Sequence, residues 1–159
     1  MLQKIKPFLW FDHQAEEAAN FYCSIFKNSK ILKVERFPEG APGPAGSVMI
    51  VNFQLEGQEF IALNGGPMFK FTEAISFSIS TETQEETDYY WNKLTSGGGQ
   101  ESQCAWLKDK FGLSWQVVPI ALNQLLADPD KHKAQRVMQA MLQMKKIDIA
   151  GLQRAAQQA

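Results

Sequence analysis

Ile5-Lys6-Pro7-Phe8-Leu9-Trp10-Phe11-Asp12-His13-Gln14-Ala15-Glu16-Glu17-Ala18 changes its period at Asp12, and that change decides the fold. Before it, Ile5, Pro7, Leu9 and Phe11 alternate with Phe8 and Trp10, so Ile5 to Phe11 predicts a strand apolar on both faces and buried on both sides. After it, Ala18, Phe21, Tyr22, Ile25 and Phe26 recur at the spacing of a helix stripe. Glu16 and Glu17 suit the first turn, where carboxylates oppose the helix dipole. Cys23 falls in the same helix, as a small core filler.

Three strands follow: Ile31 to Phe37, Ser47 to Leu55 and Glu59 to Leu63. The Pro- and Gly-rich run from Pro38 to Gly46 separates the first two as a loop, and Glu56-Gly57 closes a hairpin between the others. An offset of 68 residues repeats this order: Leu9 falls on Phe77, Glu17 on Glu85, Phe21-Tyr22 on Tyr89-Tyr90 and Phe26 on Leu94. The second copy has a strand at Ile75 to Ile79, a helix at Glu85 to Leu94 before Gly97-Gly98-Gly99, and strands at Trp106 to Lys108 and Leu113 to Val118. A short strand fits weakly between Gln100 and Cys104. Phe21, Tyr22, Phe26, Tyr89 and Leu94 are expected to be buried against the sheets. The fold class is therefore α+β, two βαβββ modules over about 4–66 and 73–119 in a single domain of 159 residues, with C-terminal helices over 120–159.

In that extension Asp128-Pro129 reads as a helix start, with Ala134, Val137, Met138, Met141 and Leu142 as its stripe. Asp148 caps a last helix, with Ile147 and Leu152 as a hydrophobic staple. A net charge of −1 offers no field for nucleic acid or a membrane surface. No apolar run is long enough to span a membrane and no signal-peptide core is present, so a cytoplasmic protein is expected. Two cysteines, Cys23 and Cys104, make no disulfide framework.

Phe8 to Ala18 with Asn20-Phe21-Tyr22, Leu63-Asn64-Gly65-Gly66-Pro67, Phe69 to Phe77, Trp106-Leu107-Lys108-Asp109 and Gly112 to Pro119 resemble the PhnB-like branch of the vicinal-oxygen-chelate superfamily. That branch is also named for 3-demethylubiquinone 3-methyltransferase. His13 stands where such proteins usually carry Gly. The resemblance implies the glyoxalase/bleomycin-resistance fold, whose modules face each other across a small-molecule cleft, and often a homodimer. The stripe Met138, Met141 and Leu142, with Met144 beside it, suits packing across a two-fold axis or back onto its own module.

Metal-dependent relatives use two His and two Glu or similar ligands. The corresponding positions here fall near Ile5, Asn64, Glu73 or Ala74, and Gln116, and His13 and His132 lie at none of them. No metal is expected, since only Glu73 is an anionic donor. No cofactor is expected either, with S-adenosylmethionine following only from the methyltransferase label. Gly97-Gly98-Gly99 reads as a helix C-cap, and no helix stripe begins after Gly65-Gly66 to make a nucleotide-binding turn.

The candidate ligand-binding residues are Trp10, Phe71, Trp106 and Trp115, which offer flat apolar area, Asn64 and Gln116, which offer amides, and Glu73 and Cys104. Each aromatic competes with a core role and Asn64 with turn capping. Cys104 is a nucleophile only with a lowered pKa and otherwise a structural thiol. The expected activity is binding of a small organic molecule, with or without chemistry. Methyl transfer and sequestration of a drug-like compound are the alternatives.

Overall fold

The computed structural model describes residues 1–158 as two compact units, Met1–Phe71 and the chain from Thr72 onward. The first contains β1 (Phe8–Phe11), α1 (Ala15–Ile25), β2 (Lys30–Arg36), β3 (Val48–Leu55) and β4 (Gln58–Asn64). Its sheet runs β1-β4-β3-β2, with β1 parallel to β4 and the other pairs antiparallel. The second repeats the plan with β5 (Ser76–Thr81), α2 (Gln84–Thr95), β6 (Gln100–Glu101), β7 (Trp106–Lys108) and β8 (Ser114–Pro119), in the order β5-β8-β7-β6. Both copies of the βαβββ module therefore close the same way, first strand against last.

In the first unit Leu9, Phe11, Val51, Phe53, Phe60 and Ala62 are buried on the face that α1 covers with Ala18, Tyr22 and Ile25. Tyr22 stacks on Phe53 at 6.3 Å and Phe53 on Phe60 at 5.5 Å. Burial of this stripe, rather than helix propensity, fixes α1. Glu56 and Gly57 both take the left-handed conformation that a two-residue hairpin needs, with φ of 48° and 80°. The other face of the sheet carries Phe8, Trp10, Ile61 and Leu63, half-buried or exposed.

Several expectations change. The first strand begins at Phe8, and Ile5 is 88% exposed. Phe8 is itself exposed, so β1 is buried on one side only. Tyr89 is exposed while Tyr90 is buried, and in α1 Phe21 is half-buried while Tyr22 is buried. The repeat thus holds even in its error, since each helix buries the second aromatic of its pair. Cys23 is only half-buried. His13 is not among the positive-φ residues, so the turn after β1 accepts a side chain there.

The extension forms α3 (Ile120–Leu126), α4 (Lys131–Leu142) and α5 (Ile149–Gln157). Asp130, not Asp128, caps α4, accepting from the amides of His132 and Lys133 at 3.0 and 3.3 Å. Asp128 instead accepts the amide of Asp130 at 2.9 Å in the turn before it. Ile147 and Leu152 are fully buried, as the staple requires. Val137 is buried, and Met141 and Met144 pack with it against Leu122, Ile147 and Leu152 of the same unit. Of the stripe, Met138 and Leu142 stay exposed. No helix is long and apolar enough to cross a membrane among the described residues.

Candidate functional site

The first unit holds a cavity of about 940 Å³ where β1 passes into α1. Trp10 and Leu63, adjacent in register on the helix-free face, form one wall. Phe37, Pro42 and Pro44, from the end of β2 and the loop after it, form the second. Asp12, Glu16 and Glu17 enter from the turn and the first helical turn. The volume suits a drug-sized organic molecule.

Local structure explains how the walls are held. Trp10 donates its indole Nε1–H to the carbonyl of Gly66 at 2.9 Å and meets Phe69 edge-on at 4.9 Å. Gly65 lies against the same ring, so closely that a Cβ would overlap it. Asn64 bridges three elements: its Oδ1 accepts the amide of Ala15 at 2.8 Å, and its Nδ2 donates to the carbonyl of Val48 at 3.0 Å. Gln14 makes no side-chain cap, so Asn64 supplies the acceptor that the start of α1 lacks. The turn-capping role therefore occupies both ends of the Asn64 amide.

Of the eight candidate residues, the cavity gathers Trp10 and Asn64. Phe71 lies in the same unit, edge-on to the buried Phe11 at 5.2 Å. The other five belong to the second unit. Trp115 is 3% exposed, packs with Phe77 at 5.5 Å and donates Nε1–H to Asp109 Oδ2 at 2.9 Å, which places it in the core. Gln116 donates to Ser76 Oγ at 3.0 Å and faces Trp106 across the ladder. Glu73 is exposed and paired with Lys108, whose hydrogen bond and charge hold its carboxyl below the usual range. Cys104 is half-buried in a left-handed conformation, φ 55°, its amide donating to Met144 O at 2.9 Å.

Sequence reasoning missed Phe37, Pro42, Pro44 and the carboxylates as wall residues. The signal for the first three is the aromatic that ends a strand just before a Pro-rich loop. Asp12 marks the change of period, and Glu16 and Glu17 are accounted for by the start of the helix, which hides their second position.

The superfamily's metal does not fit these donors. Glu73 is held by Lys108, both ends of the Asn64 amide are in use, and Gln116, whose Nε2–H goes to Ser76, offers only a neutral carbonyl oxygen. Among the described residues no cluster of three or more His, Cys, Asp or Glu could hold an ion. A nucleotide-type cofactor fares no better at Gly65-Gly66. Their amides donate to Phe11 O at 2.8 Å and Asp12 O at 3.1 Å, which leaves neither for phosphate or ribose, and no helix begins there.

The family model for 3-demethylubiquinone-9 3-methyltransferase matches residues 3–118. The solved PhnB protein of Bacillus cereus, a candidate 3-demethylubiquinone-9 3-methyltransferase, is 39% identical at a TM-score of 0.67, over 74% of this chain and 99% of that one. A Pseudomonas aeruginosa protein of known structure is 20% identical at a TM-score of 0.61, covering 74% and 98% of the two chains. The genomically encoded fosfomycin resistance protein of Listeria monocytogenes, solved with manganese(II) and sulfate, is 13% identical at 0.51, over 75% and 91%. These last two are similar in fold alone. No curated protein sequence matches the chain. The helices after residue 118 lie outside the family match.

Proposed function

The chain belongs to the PhnB-like, 3-demethylubiquinone-9 3-methyltransferase family of the vicinal-oxygen-chelate superfamily, and we propose that it binds a small organic molecule in the cavity of its first unit without a metal. The observation that carries this reading is the cavity itself, about 940 Å³ walled by Trp10, Phe37, Leu63 and two prolines. Such walls desolvate an apolar or aromatic body, and Trp10 is held in place by two neighbours on its ring and a bond to its Nε1–H. Asn64 belongs to the site as a lining residue whose amide ties the start of α1 to the start of β3. Trp106 and Gln116, half-buried on the sheet of the second unit, are candidate ligand-binding residues of that unit. Methyl transfer is the second reading, and the family match is what favours it.

A thermal-shift screen of the full chain with aromatic compounds, quinones, S-adenosylmethionine and divalent metals tests both, because a ligand that binds only the folded state raises the midpoint. The first reading expects shifts with aromatic compounds that vanish in Trp10→Ala. A shift with S-adenosylmethionine and none with aromatics would favour methyl transfer. A cytoplasmic homodimer is also proposed, supported by the exposed Met138 and Leu142 on α4, and light scattering that returned a monomer would remove it.

A further inference from the structure

We propose that the cavity of the first unit selects ligands that carry a positive charge on an aromatic or apolar body, an inference that rests on the cavity being the ligand site. The polar end of a ligand must meet complementary groups, and several donors of this wall are already committed inside the protein. Trp10 Nε1–H goes to Gly66 O, Asn64 Nδ2 to Val48 O, and Ser47 Oγ–H to Pro44 O at 2.6 Å. The amides of Gly65 and Gly66 go to Phe11 O and Asp12 O. The Ala15 amide, at the positive end of α1 where an anion would settle, goes to Asn64.

Among the described residues no lysine or arginine lines the cavity, whereas the carboxylates of Asp12 and Glu16 do, beside Glu17, which has a further interaction of its own. The one basic ring on the wall, His13, is 77% exposed and stands 3.6 Å from Asp12, outside a good hydrogen bond. The rings of Trp10 and Phe37 complete the wall, and aromatic faces attract cations. A wall of acceptors and π-faces is complementary to an ammonium or a similar cation. It opposes phosphonate, sulfate and carboxylate. Since the carboxylates are exposed, the preference is moderate and screened by salt.

The test uses three probes of one shape on the full chain: benzyltrimethylammonium, its uncharged isostere neopentylbenzene, and benzylphosphonate. Binding is followed at the Trp10 indole N–H by NMR, with Trp10→Phe to assign that signal. Benzyltrimethylammonium should bind more tightly than benzylphosphonate. D12N/E16Q/E17Q should weaken the ammonium by about 5-fold, as a few screened charge contacts would, shift neopentylbenzene far less and strengthen the phosphonate. On the unaltered chain, raising NaCl from about 20 to about 500 mM should weaken the ammonium and not the neutral probe. Phosphonate binding as tight as ammonium, or ammonium binding indifferent to both salt and the triple substitution, overturns the charge preference while leaving the cavity as a ligand site. If none of the three probes moves the Trp10 signal, the preference and the cavity reading fall together.

Discussion

Replacing Asn64 by Ala removes one side chain and strands two backbone groups. The amide of Ala15, a fully buried residue, loses its 2.8 Å acceptor, and the carbonyl of Val48 loses its 3.0 Å donor. Loss of a helix cap costs about 1 kcal/mol, and a buried group left without a partner costs about 1–3 kcal/mol, so Asn64→Ala should lose about 2–4 kcal/mol. Asn64→Asp separates the two bonds. It keeps an acceptor for Ala15 but turns its other oxygen toward the Val48 carbonyl. The repulsion favours the protonated acid in the folded state and so raises its pKa there above the unfolded value. A folded state that holds its proton more tightly loses stability as pH rises through that range. Asn64→Asp should therefore approach the unaltered protein in acid and fall below it at neutral pH. Urea unfolding at several pH values gives both numbers, provided that m is unchanged. A loss under about 0.5 kcal/mol for Asn64→Ala would refute the capping role, since that is what an exposed site shows. Equal, pH-independent losses in both variants would refute the division of the amide between two elements.

Gly65→Ala should weaken aromatic probes about tenfold and cost about 1–3 kcal/mol, because the added methyl overlaps the held Trp10 ring; titration of the Trp10 indole signal checks it, and unchanged affinity would mean that the ring is free to move. In the second unit Asp88 accepts from Gln84 at 2.9 Å and pairs with Lys146 at 2.9 Å, and both lower its pKa, the Gln84 hydrogen bond being the largest single cause and Lys146 acting through both a hydrogen bond and its charge. A depressed carboxyl stabilises the fold above its unfolded pKa and stops doing so as pH falls through the folded one. Its carboxyl titration by NMR should therefore move up in both Gln84→Ala and Lys146→Ala, and an unchanged titration in either variant would remove that contact as a cause.

The βαβββ repeat was legible because burial repeats with it. Each module hides one face of its sheet under one helix, and that demand writes the same spacing into residues 9–26 and 77–94. What sequence could not settle depended on contacts from distant residues. Asp128 and Asp130 are both competent caps two positions apart, and the choice between them lies in the turn, where Asp128 already holds the amide of Asp130. The stripe of α4 likewise shows an apolar face and not its cover. Ile147 and Leu152, which arrive after α4 has ended, pack with Val137 and draw Met141 and Met144 inward.

The candidate site follows the same division. Trp10 was found because a large aromatic offers flat apolar area; that its face of β1, opposite Leu9 and Phe11, has no helix to cover it came from the structure. Asn64 was found beside its glycine turn, but its partners Ala15 and Val48 lie 49 and 16 residues away. No local rule distinguishes an amide facing a ligand from one closing a helix. The carboxylates were overlooked for a related reason. Glu16 and Glu17 stabilise the start of α1 whether or not a cavity lies beside it, so their presence there raised no question. The charge of the cavity becomes readable only when Asn64 is seen to occupy the Ala15 amide. Had that amide been free, the start of α1 would attract anions and oppose the carboxylates. With it occupied, the helix start presents its acids and one fewer open donor. The Asn64 side chain thus lines the cavity and also removes one donor that an anion could use there.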